Sequence, residues 1–148
     1  MKFPPKLKKG DTVLLVSPSS PLSADQPAEK IAAQVEALGF RVRIGESCRS
    51  STSSGYAAAP PAVRAADISG GFADPSVAAI WCTRGGSTAW QLLPLLDYAR
   101  IAAHPKPFIG FSDVTTLHLA LQQRCGIVTF HGPMANRTLD WAEDPFSR

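Results

Sequence analysis

At 148 residues, with 45% hydrophobic and 18% charged side chains, the chain has the size and composition of one globular domain, and it excludes the disordered and membrane-embedded classes. That length suffices to fold around a core without disulfides or a structural metal. The net charge of +3 is made in part by Lys2, Lys6, Lys8 and Lys9, and no basic stripe interleaved with aromatics follows, so nucleic acid is not an expected partner.

Lysines ahead of Thr12-Val13-Leu14-Leu15-Val16 have the order of a signal peptide, but the apolar run is too short for one and Pro4-Pro5 interrupt the approach to it. The reading adopted is a first strand, buried on both faces. No stretch approaches the roughly 20 apolar residues that span a bilayer, so a membrane is not an expected partner either. Ser17-Pro18-Ser19-Ser20 forms the loop that follows. Ser23 and Gln26 have capping-box spacing, and Ile31, Val35 and Leu38 recur at helical steps until Gly39, which predicts a helix between them. Phe40 to Ile44 alternates like a strand.

Gly45 to Pro61, with the cluster Ser50-Ser51-Thr52-Ser53-Ser54-Gly55, reads as a long surface loop. Ala62 to Ala73 resumes a helical pattern that Asp74-Pro75 breaks. Val77 to Cys82 is a third strand, and Arg84-Gly85-Gly86-Ser87-Thr88 turns from it into a helical run over Ala89 to Leu96. Asp97-Tyr98 opens a loop leading to a fourth strand at Lys106-Pro107-Phe108-Ile109. A helix over Val114 to Arg124 and a fifth strand at Ile127 to Phe130 complete the series. Strand and helix alternate throughout, so the expected fold class is α/β: a three-layer Rossmann-like or flavodoxin-like domain whose mostly parallel sheet of about five strands is flanked by helices.

Cys48, Cys82 and Cys125 are odd in number and widely spaced, which suits reduced thiols and a cytoplasmic location better than a disulfide framework or a zinc site. Cys82 reads as a small core residue.

Two turns at strand C-terminal ends could carry chemistry. Gly110-Phe111-Ser112-Asp113 lies between a strand and a helix, where a serine is lifted off the sheet beside free N–H groups of a helix start. The competing reading makes Ser112 a helix N-cap and Asp113 a favourable charge at the macrodipole. Val114 stands where the full G-x-S-x-G elbow has its second glycine. Gly85 and Gly86 permit close backbone approach to an anion or carboxylate, or simply a tight turn; the Lys-Ser/Thr of a phosphate loop is missing. A serine nucleophile also needs a base. His104, His118 and His131 are the only histidines, and of these only His131 follows a strand, so no internal triad can be assembled.

The blocks Val77 to Gly86, Gln91 to Tyr98, Lys106 to Leu117 and Thr129 to Met134 together resemble the N-terminal half of the LD-carboxypeptidase family. Lys8-Lys9-Gly10-Asp11, Ser17-Pro18-Ser19-Ser20 and Arg64-Ala65-Ala66-Asp67 agree with it. The resemblance implies a cytoplasmic serine peptidase, without metal or other cofactor, that releases terminal D-alanine from the L,D-linked murein tetrapeptide in cell-wall recycling. A sister branch cleaves peptide-nucleotide antibiotics of the microcin C type. Carried onto this chain, it makes Ser112 the nucleophile, gives the oxyanion hole to the amides of Asp113 and Gly86, and puts Arg84, Gly85 and Ser87 against the substrate. The family's Glu and His partners belong to a C-terminal domain. The expectation is therefore a nucleophile-bearing domain over 1–134, the start of an interdomain linker over 135–148, and a catalytic-partner domain absent from the chain. Such a fragment would be inactive alone, and an apolar face left uncovered would favour a homodimer. Ser87-Thr88-Ala89-Trp90 departs from the family pattern; Ser53 to Tyr56 leans to the microcin branch and Arg84-Gly85-Gly86 to the murein branch. A reading of another class is a noncatalytic carboxylate- or phosphate-binding module built on the two glycine turns.

Overall fold

The structure, a computed structural model, describes residues 1–49 and 55–137. Five strands, β1 (Thr12–Val16), β2 (Arg41–Ile44), β3 (Ala79–Cys82), β4 (Phe108–Gly110) and β5 (Phe130–His131), form one sheet in the order β2-β1-β3-β4-β5, with every pairing parallel. This is the flavodoxin-like winding, in which the chain reverses its direction of travel between β1 and β3. The α/β expectation holds in class, strand number and direction.

Period-two alternation along β1 and β3 divides the core between the two faces of the sheet. Leu14, Val16, Ile80 and Cys82 pack with Phe72 of α2 (Pro61–Ala73), Ile101 of α3 (Tyr98–Ala103) and Leu117 and Leu121 of α4 (Thr115–Cys125). Val13, Leu15, Ala79 and Trp81 face the other way, against Ile31 and Val35 of α1 (Ala28–Ala37). Both faces are covered, so β1 and β3 read as continuous apolar runs in sequence. Each fully buried Val, Leu, Ile or Phe contributes about 1.5–3 kcal/mol of transfer free energy.

Several boundaries differ from those expected. Helix α1 begins at Ala28, behind Pro27, and no side chain caps it; the Gln26 N–H instead donates to the Ser23 carbonyl at 3.0 Å. The capping-box spacing thus marks a turn, and Pro27 starts the helix with a φ of −67° already suited to that role. The helical run expected over Ala89 to Leu96 is a short 3-10 turn, Ala89–Leu92, followed by turns around Pro94, whose missing N–H prevents regular continuation. The loop expected after Asp97 holds α3, whose N-terminus Asp97 caps by accepting from the Arg100 N–H at 3.0 Å. Within Gly45 to Pro61 a 3-10 turn covers Glu46–Cys48 and Pro61 already belongs to α2; Ser50 to Ser54 lie outside the described residues.

The last strand also shifts. Sheet pairing falls on Phe130 and His131, opposite Ile109 and Gly110, while Ile127 makes an isolated parallel bridge to Lys2. Of the segment 135–148, Ala135–Arg137 form a 3-10 turn that packs on the domain, with Ala135 fully buried and the Asn136 amide donating to Gln26 Oε1 at 3.1 Å.

Candidate functional site

Strands β1, β3 and β4 lie side by side, so the loops leaving their C-terminal ends meet at the edge where parallel sheets place ligands. Ser20 comes from the first loop, Arg84, Gly85 and Gly86 from the second, Phe111 and Ser112 from the third. Together with Met134, Asn136 and Arg137 they line an open cleft of about 380 Å³.

Ser112 is the first residue of a 3-10 turn, Ser112–Val114, that leads into α4. Its φ is 60°, the only positive φ of a non-glycine residue among those described. An L side chain held in that region costs of order 1–3 kcal/mol, and such strain collects at functional sites. The N-cap reading fails here: Phe111 occupies the cap position, no side chain caps the turn, and the exposed Ser112 hydroxyl has no hydrogen-bond partner among the described residues. The strained geometry therefore presents the Ser112 hydroxyl to the cleft.

The facing turn is shaped around that serine. A Cβ on Gly85 would lie 3.0 Å from both Cβ and Oγ of Ser112 and 3.6 Å from the Asp113 nitrogen, so only a glycine leaves the hydroxyl uncrowded. Gly86 has a φ of 155°, and a Cβ there would fall 2.2 Å from Ser20 Oγ and 2.9 Å from the Ser20 nitrogen. The Ser20 N–H donates to the Gly85 carbonyl at 3.1 Å, which locks the first loop onto the second.

Of the residues singled out from sequence, the fold brings Arg84, Gly85, Gly86 and Ser112 into one cleft. Arg84 donates to the Pro21 carbonyl at 2.9 Å. Ser87 lies just beyond the lining. The Asp113 side chain turns away from the cleft, accepting from Ser19 Oγ at 2.5 Å and from the Ala89 N–H at 2.9 Å, while its backbone stays beside Ser112.

None of the three histidines lines the cleft. His104 is exposed, with Nδ1 against the Arg100 carbonyl at 3.0 Å. His131 stacks edge-on with Phe111, ring centroids 6.3 Å apart. His118 is buried in α4, its Nε2 donating to the Gly110 carbonyl at 2.8 Å and its Nδ1 unpartnered. Burial lowers its pKa, partly countered by that backbone hydrogen bond and reinforced by His131. Cys48, pushed up to about 11 chiefly by burial, and the fully buried Cys82, also raised by burial, are thiols rather than thiolates at neutral pH.

Sequence reasoning did not single out Ser20, Met134, Asn136 or Arg137 as cleft residues. Ser20 and Met134 sit inside blocks that carry the family resemblance, which is the signal they offered. Asn136 and Arg137 follow the last strand without periodicity and gave none.

Comparison with known proteins bears on the family and the fold. Residues 13–132 match the family model described as the LD-carboxypeptidase N-terminal domain. A probable murein peptide carboxypeptidase of Bacillus subtilis is 38% identical over 90% of this chain and 41% of its own length. The crystal structure of an MccF-like protein from Bacillus anthracis superposes with a TM-score of 0.87 at 32% identity, covering 99% of this chain and 46% of that one. The structure of MccF in complex with glutamyl sulfamoyl guanosine superposes at 0.83 and 29% identity, over 94% and 41%. The chain thus spans less than half the length of these relatives.

Proposed function

Since the chain belongs to the LD-carboxypeptidase family through its N-terminal domain, we propose that it is the nucleophile-bearing half of a serine-type carboxypeptidase acting on murein tetrapeptide in the cytoplasm. The observation that carries this reading is Ser112: a φ of 60° and a hydroxyl without a partner among the described residues, at a cleft that Gly85 leaves open. The catalytic partners belong to a domain outside this chain, in keeping with the greater length of the relatives and with a cleft lining that includes none of the three histidines.

In this mechanism a base from the second domain takes the Ser112 proton as Oγ attacks the carbonyl preceding the terminal D-alanine. The N–H groups of Asp113 and Gly86 hold the resulting oxyanion. Collapse breaks the C–N bond, the protonated base delivers its proton to the leaving amine, and water, deprotonated by the same base, then releases the peptide from the ester. Gly85 and Ser87 border the bound peptide, and Arg84 offers a guanidinium to a carboxylate.

The decisive experiment is D-alanine release from murein tetrapeptide by the full-length parent and its Ser112→Ala variant. Loss of turnover is expected; retained hydrolysis sinks the nucleophile assignment. Residues 1–148 alone should show no release, and measurable release would return His131 to consideration as base. A second reading, hydrolysis of peptide-nucleotide conjugates of the microcin C type, is favoured by the MccF-like structural neighbours; faster turnover of an aminoacyl sulfamoyl nucleoside than of the tetrapeptide would select it. Ligand binding that survives Ser112→Ala in a parent without hydrolase activity would select a noncatalytic module instead.

A further inference from the structure

Arg64, on α2, is among the largest fully buried side chains of the protein and is 0% exposed. A guanidinium stays charged in a protein interior, and an apolar side chain of similar volume would fill the position without desolvating a charge. Arg64 nonetheless makes no direct ion pair among the described residues. Its donors reach neutral acceptors on three separate segments. Nε donates to the Ala59 carbonyl at 2.7 Å, one terminal nitrogen to the Pro18 carbonyl at 2.7 Å and to both Thr88 O and Thr88 Oγ1 at 3.2 Å, and the other to Gln91 Oε1 at 2.7 Å.

Two of these segments, those of Pro18 and Thr88, belong to the loops after β1 and β3 that line the cleft through Ser20 and Arg84 to Gly86. Ser19, next to Pro18, donates through Oγ to the Asp113 carboxylate at 2.5 Å and accepts from the Thr88 N–H at 3.0 Å; Ala89, next to Thr88, donates to the same carboxylate oxygen. The circuit closes: Arg64 to the β1 loop, that loop to Asp113, Asp113 to the β3 loop, and the β3 loop back to Arg64. Gly86 sits against this same Ser19, its ideal Cβ position only 2.5 Å from Ser19 Oγ. Burial lowers the Arg64 pKa, and the negative charge of Asp113 opposes that shift.

We infer that Arg64 and the carboxylate of Asp113 form a positioning pair, linked through Ser19 and Thr88, that fixes the Gly86 turn against the Ser112 turn and so sets the separation of the two oxyanion amides. The inference rests on the reading of Ser112 as nucleophile. It explains why Asp113 turns its side chain away from the cleft while its backbone stays beside Ser112, and why a cation is buried with only neutral acceptors in direct contact. Neither side chain touches the substrate.

Two measurements test it separately from the activity itself. In the full-length parent, Arg64→Met should lower kcat about 10²–10³-fold, the cost of misplacing an oxyanion donor, with KM changed less than about threefold. Arg64→Lys keeps the charge but not the fork, and should recover only part of the loss. On an Asp113→Asn background Arg64→Met should add at most about a threefold further loss, because coupled residues are not additive. A loss confined to KM, or single effects that multiply independently, overturns the pair. In residues 1–148, amide hydrogen exchange by NMR should show the Gly86 and Asp113 N–H groups exchanging at least about tenfold faster in Arg64→Met, with the amides pairing β1 to β2 unchanged. If that variant does not fold, Arg64→Lys and Asp113→Asn serve for the same measurement. Unchanged exchange at both amides refutes the brace whatever the activity; an inactive wild-type parent refutes the functional reading and leaves the exchange result to judge the brace.

Discussion

Gly86→Ala is the sharpest single perturbation the site allows. The added Cβ would lie 2.2 Å from Ser20 Oγ, 2.5 Å from Ser19 Oγ and 2.9 Å from the Ser20 nitrogen. The first contact could be relieved by rotating Ser20, but Ser19 Oγ is tied to Asp113 and Thr88, and the Ser20 nitrogen is backbone held to the Gly85 carbonyl. The turn itself must therefore move. Overpacking of this kind costs about 1–3 kcal/mol, and forcing an L residue to the φ of 155° adds about 1–3 kcal/mol more, for a total of about 2–6 kcal/mol by both. At about 2–4 °C per kcal/mol for a domain near this size, the melting temperature followed by circular dichroism should fall by at least about 4 °C. Gly70→Ala is the control: Gly70 lies in α2 with nothing within 4 Å of a built Cβ, so the substitution should stabilise by about 0.5–1 kcal/mol. A melting temperature for Gly86→Ala within 1 °C of wild type would refute the claim that this turn is fixed by contact with the β1 loop.

Ser112→Gly should abolish hydrolysis in the parent yet raise stability by about 1 kcal/mol, because glycine adopts a φ of 60° without the cost an L residue bears; an equally or less stable Ser112→Gly protein would argue against strain at the nucleophile. Cys48, raised from 9.0 to about 11 by burial, binds its proton more tightly folded than unfolded, so its contribution is intact below pH 9.0 and is lost as pH rises toward 11. That share is about 2–3 kcal/mol; urea melts across this window should show a shallower alkaline loss in Cys48→Ala, with the share of Cys82 remaining. His118 has the opposite sign: its lowered pKa means the unfolded chain takes up the proton first, so stability should fall as pH drops below about 6.5, and His118→Phe should reduce that slope even if it lowers stability at pH 8.

What the sequence made legible follows from how local each signal is. β1 falls on Thr12–Val16 as expected because a strand covered on both faces needs an apolar residue at every position, and that pattern has sharp ends. The start of α1 and the run after Thr88 depart from their sequence pattern because capping and periodicity compete with proline: Pro27 and Pro94 set the backbone whatever the neighbouring side chains suggest. α3 carries no periodic signal because six residues are too few to show a period, although Asp97 is present as its cap. β5 lies later than its apolar run because the parallel register to Ile109 and Gly110 is a tertiary choice that no local pattern encodes.

The site divides in the same way. Ser112 stands out by its place in Gly-Phe-Ser-Asp between a strand and a helix, and the Gly85-Gly86 pair because close backbone approach restricts residue type at single positions, a restriction that leaves a mark in sequence. The support beneath them left none that could be read alone. Arg64 falls on the helix face where periodicity predicts an apolar residue, so a local pattern treats it as a surface charge; its meaning depends on Pro18, Thr88 and Gln91 arriving around it from other segments. Asp113 read as a residue favourable to a helix dipole, whereas its carboxylate binds a serine 94 residues earlier. Atoms that would meet the substrate are thus constrained one residue at a time, while those that fix where the two turns sit are constrained only jointly. The consequence is mechanical: a grafted Gly-Phe-Ser-Asp turn facing a Gly-Gly pair would reproduce the visible motif without the ring of hydrogen bonds that sets the distance between its amides.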